Sequence, residues 1–393
     1  MCTRIFNSLN PEFPMTGRNF DWFSPLTTYL YRIPKSKELR TGSLKQQAHP
    51  VEFSNHDVFT WQAKYASIAS LVGNDQLGLG SVDGINSQGL AVNGLEDLFA
   101  YFEDNDKIID DGKIKPLALL KAIDKDRNAF LDQLNIPEDA QLLSSLRWVQ
   151  FTLDCFDTVE AATSYFSQNP DQLYIYSDDV PDGLDTTTKA KLHLTLSDRN
   201  GDSAIIELRD NGFKIYHNRK YNVATVNPGY DVQLALLKPW QKKWQQEVHL
   251  QDTLAGFTLF DLPGGPVSQQ RFARAAYYYE FSQPASNRQN ALAQTRALMA
   301  ATATPLCYNS MKHSSVKGQS SNTLWCSVSE HAALRYHLIN TYSIAPVWVS
   351  FDNPSNNCER LLILERSSTG EAISSELMGD VQQQLRPCDN PFV

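Results

Sequence analysis

Cys2 and the run Gly17-Arg18-Asn19-Phe20-Asp21-Trp22 are the first residues whose types and spacing could do chemistry. If Met1 is removed, Cys2 carries a thiol nucleophile and an α-amine base on one residue. A thiol of pKa ~8.5 needs a base to become a thiolate, and an α-amine near ~7.7–8.0 takes and returns a proton at neutral pH. The pair is complete in itself. Its use depends on what the fold sets around it.

No rival chemistry is organised elsewhere. The eight histidines form no HExxH or paired-ligand pattern, and no Gly-x-Ser-x-Gly elbow occurs. The glycine-rich segment Gly78-Leu79-Gly80-Ser81-Val82-Asp83-Gly84 lacks the lysine and spacing of a phosphate loop. None of the six cysteines forms a CxxC pair or sits at zinc-finger distance from a histidine, so structural zinc is not expected. Cys155, Cys307, Cys326, Cys358 and Cys388 read as free, partly buried small hydrophobes in a reducing compartment. The acidic stretches Asp104 to Asp111 and Asp178 to Asp185 lack the order of a calcium loop and read as solvated loops.

Segments at five places, taken in order, carry a resemblance: Cys2 with Gly17 to Trp22; Asp83-Gly84-Ile85-Asn86-Ser87-Gln88-Gly89-Leu90; Leu194 to Asp198 with Gly201 to Glu207; Arg271-Phe272-Ala273-Arg274-Ala275; and Thr323-Leu324-Trp325. Together they resemble the choloylglycine hydrolase and penicillin V acylase family of N-terminal nucleophile hydrolases, over most of residues 2 to 350. The resemblance implies an α+β fold, a four-layer αββα sandwich, and cofactor-independent, metal-free hydrolysis of a linear amide through an acyl-enzyme. It implies Cys2 as nucleophile, Arg18 beside it, Asp21 orienting its amine and Arg271 as a second catalytic arginine. A guanidinium beside the sulfur would favour thiolate.

Two segments depart from the family pattern. The family shows Asn-x-Pro at its oxyanion asparagine, whereas here the order is Thr225-Val226-Asn227-Pro228. Asn227 is one residue late and is the expected amide donor after a local shift, with a turn-capping role as the plainer reading. After Gly94-Leu95, where the family commonly has Asn, Tyr or Trp, this chain has Glu96 and then Asp97. Two carboxylates near the scissile bond would disfavour an anionic leaving amine; the plainer reading points Glu96 into solvent. Phe23 and Phe99, with Glu96, are the expected substrate contacts, in an aromatic neighbourhood suited to an apolar acyl group.

These residues need elements to hold them. Thr3 to Ser8 and Met15 to Phe20 read as strands around the turn Leu9 to Pro14, which places Cys2 opposite a residue near Asp21. Arg18 and Asp21 differ in strand parity, so both reach the Cys2 side only if the strand bends or ends between them. Further strands are expected at Thr27–Arg32, Trp61–Val72, Gly89–Gly94, Lys191–Ser197, Ser203–Leu208, Lys214–His217 and Tyr221–Val226. A late hairpin is expected around Glu330-His331, followed by strand Val347–Phe351. Helical spacing marks Pro116–Leu134, Val159–Ser167, Val232–Val248, Phe272–Phe281 and Ala291–Met299.

With 393 residues, 42% of them hydrophobic, the chain can bury a large core; it divides by expectation into a single domain, 2–351, and a C-terminal extension, 352–393, packed on it. A net charge of -9 argues against nucleic acid or anionic membrane as partner, and no run of apolar residues is long enough to span a bilayer. The expected partner is a small-molecule amide with an apolar acyl group, of the penicillin V, conjugated bile salt or N-acyl homoserine lactone type. The resemblance adds a homotetramer. The N-terminus shows no signal pattern, so the expected location is cytoplasmic, with export of a longer precursor left open. The alternative reading is a binding or structural protein that keeps the fold with a weakened oxyanion site.

Overall fold

Every residue of the segments Thr3–Asn7 and Met15–Trp22 is buried. Strands covered on both faces belong to the inside of a layered fold. The computed structural model describes residues 2–44, 56–97, 109–110, 113–114, 136, 138–183, 188–209, 212–253, 261–315, 320–353 and 355–393. In it β1 (Thr3–Asn7) and β2 (Met15–Trp22) pair antiparallel, with Thr3 opposite Asn19 and Arg4 opposite Arg18.

Along the chain follow β3 (Thr28–Ile33), β4 (Ser67–Asn74), β5 (Gly78–Asn86), β6 (Ala91–Glu96), β7 (Leu192–Ser197), β8 (Ser203–Arg209) and β9 (Gly212–His217). The later strands are β10 (Val223–Thr225), β11 (Asn322–Glu330), β12 (Arg335–Asn340), β13 (Val347–Ser350), β14 (Glu359–Arg366), β15 (Ala372–Ser374), β16 (Gly379–Asp380) and β17 (Arg386–Pro387). Two sheets result. The first is seven-stranded, in the order β10-β1-β2-β11-β12-β13-β16; the second is ten-stranded, in the order β9-β8-β7-β6-β5-β4-β3-β14-β15 with β17 on β14. The helices α1 (Ser145–Cys155), α2 (Val159–Gln168), α3 (Tyr230–Thr253), α4 (Ser268–Glu280) and α5 (Arg288–Ala300) cover them.

Three apolar layers separate four structural ones. Ile5, Ala224, Phe272 and Leu298 fill the space between the first sheet and α3 to α5. Cys2, Phe20, Ile68, Ile85 and Trp325 fill the space between the sheets. Leu71, Leu194, Trp148, Phe151 and Phe166 fill the space between the second sheet and α1 and α2. This is the αββα sandwich that the resemblance implied.

Local chemistry sets the strands that matter most. Gly89, at φ +84, closes the turn from β5 to β6, donating its N–H to the Asn86 carbonyl at 2.9 Å. The Asn86 side-chain oxygen accepts from Gln88 and Leu90, so this turn delivers β6 in fixed register.

The structure departs from the sequence expectations in several places. The expected strand Trp61–Val72 is two: Thr60–Ala63 pairs with Ser36–Thr41, and only from Ser67 does β4 join the large sheet. Helix α1 was not expected. Ten of its residues are buried, Arg147, Gln150 and Asp154 among them, so it shows no exposed face to set against a buried one. Asp178 is not solvated but buried, accepting from the hydroxyl of Ser144, the N-cap of α1. Residues after 351 supply β14, whose Glu359 lies opposite Arg32 of β3. The helix expected over Pro116–Leu134 and most of the stretch Asp104 to Asp111 lie outside the described residues. Among the described residues no helix is long and apolar enough to cross a membrane.

Candidate active site

Register decides the site. Continued one residue back from Thr3 and Asn19, the β1–β2 pairing sets Cys2 opposite Phe20, one residue earlier than the sequence suggested. Alternation then puts Cys2, Arg4, Arg18 and Phe20 on one face of the sheet and Thr3, Asn19 and Asp21 on the other. The first face looks at the second sheet, where Arg18 Nη2 donates to the Gly94 carbonyl of β6 at 2.7 Å. The other looks at the helices: Asn19 Nδ2 donates to the Met299 carbonyl of α5 at 2.9 Å. The strand does not bend to bring Arg18 and Asp21 together. They lie on opposite faces of β2.

On the thiol side, Arg18 Nη2 lies 3.3 Å from Cys2 Sγ. The guanidinium sits over Phe20 and Trp325, 4.5 and 4.9 Å from their ring centres, and those rings stack on each other. Arg18 Nε is 3.8 Å from Asp83 Oδ2. Asp83 is itself fully buried, accepting from Asn93 at 3.0 Å, Ser327 at 3.1 Å and Tyr336 at 2.8 Å. Burial pushes the Asp83 carboxyl up, against the opposing pull of Arg18 and the three donors. Among the described residues, the buried Arg18 Nη1 has no hydrogen-bond partner.

On the other side, Arg271 of α4 donates to Asp21 Oδ2 at 2.6 Å and to Thr3 Oγ1 at 2.9 Å, and Thr323 Oγ1 donates to Asp21 Oδ1 at 2.6 Å. Arg271 and Asp21 are fully buried. A buried pair of this kind holds only with its remaining lone pairs satisfied, which Thr323 and Thr3 do in part. The carboxylate is thereby fixed two residues along β2 from the one paired with Thr3.

Asn227 and Val226 divide differently from the expectation. The β1–β10 register sets Thr3 opposite Thr225, so one step further Val226 faces Cys2; it is buried in the same apolar cluster. Asn227 begins a cis bond to Pro228, and its N–H donates to Ser268 Oγ at 3.0 Å. Its side-chain amide has no hydrogen-bond partner among the described residues. Gln233 latches the turn by donating to the carbonyls of Thr225 at 2.8 Å and Pro228 at 2.6 Å.

Glu96 ends β6, half-buried, and Phe23 lies edge-on to Trp22 and is exposed. Phe99 lies outside the described residues. Asp97 is buried, taking a hydrogen bond from Arg209 Nη1 at 2.7 Å. Arg209 Nη2 also lies 3.1 Å from Glu207 Oε2, and His193 Nδ1 stands 3.9 Å from Asp97. Asp97, His193 and Glu207 are close enough together to hold a metal ion, but the Arg209 guanidinium already supplies the positive charge between the two carboxylates. Burial pushes Glu207 up to about 7, opposed by Arg209 and helped by Asp97; burial pushes His193 down to about 4.

Sequence reasoning missed Asp83, Thr323, Thr3 and Ser268 as partners of the site. A buried carboxylate in the middle of a strand was the available signal at Asp83. Thr323 stands in one of the segments that carry the resemblance, yet nothing local marked its part in the site, nor that of Thr3 and Ser268.

Two sheets stacked face to face between helices, with a cysteine at the start of a central strand, define the class of N-terminal nucleophile folds. Solved structures share it: a penicillin V acylase from Agrobacterium tumefaciens superposes with TM-score 0.69 at 24% identity, covering 100% of this chain and 98% of its own. A mutant of the conjugated bile acid hydrolase from Clostridium perfringens superposes with TM-score 0.64 at 16% identity, covering 92% and 96%. A curated penicillin V acylase from Pectobacterium atrosepticum is 29% identical over 286 residues, 72% of this chain; the match spans 61% of that relative's length. The chain belongs to the choloylglycine hydrolase family of linear amide C–N hydrolases, whose family model matches residues 133–363.

Proposed function

We propose that this chain hydrolyses the linear amide of an N-acylated small molecule with an apolar acyl group, using Cys2 once its α-amine is free. The observation that carries the reading is the arrangement around Cys2: Arg18 at 3.3 Å from Sγ on one face of β2, and Asp21 held by Arg271 and Thr323 on the other. The α-amine takes the thiol proton and Sγ attacks the carbonyl carbon. Collapse of the tetrahedral intermediate breaks the C–N bond, the leaving amine takes the proton from the Cys2 α-ammonium, and a thioester remains on Cys2. Water, deprotonated by the Cys2 α-amine, attacks the thioester carbonyl; the C–S bond breaks, the carboxylic acid leaves and the proton returns to the sulfur. Arg18 stabilises negative charge on the sulfur. Asp21 orients the amine, and the unpartnered Asn227 amide with the Glu96 backbone N–H are the proposed oxyanion donors.

The relatives' names support a phenoxyacetyl amide or a conjugated bile salt as substrate type, and the apolar inter-sheet cluster also suits an N-acyl homoserine lactone. Phe23, Glu96 and Phe99 are the proposed substrate contacts. Glu96 alone, with Asp97 turned inward, would disfavour glycine and taurine conjugates relative to neutral leaving amines. A cytoplasmic homotetramer completes the proposal, to be checked by fractionation and light scattering.

The test is a panel of penicillin V, glycine- and taurine-conjugated bile salts and acyl homoserine lactones, with mass spectrometry of the protein before and after mixing. Turnover, an acyl adduct on a first-residue Cys2, and loss of both in Cys2→Ala are expected. An active protein whose Cys2 amine stays blocked ends the mechanism. Val226 on the Cys2 face, where the family has asparagine, favours one second reading, a binding protein. Acylation of Cys2 by any member of the panel would exclude it.

A further inference from the structure

Cys358 and Cys388 stand across from each other at the rim of the second sheet. β14 and β17 pair with Glu359 opposite Pro387, and the same register carried one step sets Cys358 opposite Cys388, whose N–H donates to the Cys358 carbonyl at 3.0 Å. Their sulfurs are 3.7 Å apart. Directly opposed antiparallel residues have Cα atoms ~4.5–5.5 Å apart, inside the ~4.4–6.8 Å a disulfide spans, so side-chain rotation suffices to join them. A cleft of about 590 Å³, bordered by Pro34, Lys35, Glu38 and Asp389, opens onto both cysteines. Cys358 is buried and Cys388 half-buried, so a reagent entering from solvent meets Cys388 first.

We propose that Cys358 and Cys388 form a reversible dithiol–disulfide couple, oxidised by a small-molecule disulfide of the glutathione class. The Cys388 thiolate attacks one sulfur of the reagent, breaking its S–S bond and expelling one thiolate, which is protonated to a thiol. Cys358, giving its proton to solvent, then attacks the Cys388 sulfur of the mixed disulfide and expels the second thiol. Two protein thiols are oxidised by two electrons, and one small disulfide is reduced to two thiols. The thiol contact lowers Cys388, and the same contact with burial raises Cys358, which fits Cys388 as the attacking sulfur and Cys358 as the resolving one. The bond would tie the end of the chain, including the buried Phe392, to the edge of the large sheet. The inference does not depend on the amidase reading.

The native protein is treated with oxidised glutathione, its remaining thiols are alkylated in denaturant, and its peptides are mapped by mass spectrometry. A linked peptide joining Cys358 and Cys388, lighter by two hydrogens than the reduced pair and abolished by dithiothreitol, is expected. Cys358→Ser should stop at a glutathione adduct on Cys388, and Cys388→Ser should leave Cys358 free. The exposed Cys307 serves as the control for oxidant activity. Full alkylation of both cysteines when Cys307 is oxidised, or a stable glutathione adduct on Cys388 of the unaltered protein, would overturn the proposal.

Discussion

Arg18 combines tasks that lysine cannot. One nitrogen serves both Cys2 Sγ and the Gly94 carbonyl while the guanidinium plane lies over Phe20 and Trp325. A lysine keeps the charge and loses the plane and the fork. Arg18→Lys should therefore lower kcat/KM on the best amide of the panel ~10²-fold or more with an unchanged circular-dichroism spectrum. The buried ionisable groups give a second test. His193 and His331, both pushed down to about 4 by burial, add stability that is present above the ordinary 6.5 and is lost as pH falls through about 4. Glu207, pushed up from 4.5 to about 7, acts the other way: its contribution is present below 4.5 and is lost as pH rises through about 7. Glu207→Gln should thus lose stability more steeply than the unaltered protein between pH 7 and 4.5, as read by urea denaturation at each pH. Cys2, Arg18, Asp21 and Arg271 were named through the resemblance, whose motifs lie in order along the chain, and the structure sets Arg18 at the Cys2 sulfur and pairs Asp21 with Arg271. Asp83 and Thr323 were not, because they reach the site across a sheet.

At the level of elements, close approach and register make the testable differences. A Cβ on Gly17 would stand 2.4 Å from Met299 Cγ, so α5 rests on β2 where the strand lacks a side chain. Gly17→Ala should cost ~1–3 kcal/mol in denaturant titration, and Met299→Ala in the same chain should return part of it. Register also separates Val226 from Asn227. Asn227→Ala should lower kcat ~10²–10³-fold if its amide meets the oxyanion, whereas Val226→Ala, which removes a wall of the apolar space, should act mainly on KM. Periodicity revealed α2 to α5 because each has one buried and one wet face. It failed for α1, buried all round. It also ran Trp61 and Val72 into one strand, because both halves are apolar and only the third dimension assigns them to different sheets.

At the scale of the whole molecule, the end of the chain returns to the layer beneath the second sheet. Phe392 is fully buried, its ring 4.6 Å from the Arg147 guanidinium and 5.6 Å from that of Arg40, and its carbonyl accepts from Thr41 at 2.8 Å. Phe392→Ala should destabilise the fold by ~3–5 kcal/mol by thermal or chemical denaturation. Activity per folded molecule should not change, since this layer is not the one containing Cys2. The αββα order itself was legible only through resemblance, because composition and element order permit it without selecting it. The alternating faces of β2 have one more consequence, for anyone who would re-engineer the chain. In the proposed enzyme, a library at Val226 and Glu96 would sample acyl and leaving-amine preference, while the Asp21, Arg271 and Thr323 circuit lies behind β2 as a constant. Preference and proton handling would then be adjustable separately, from opposite sides of the first sheet.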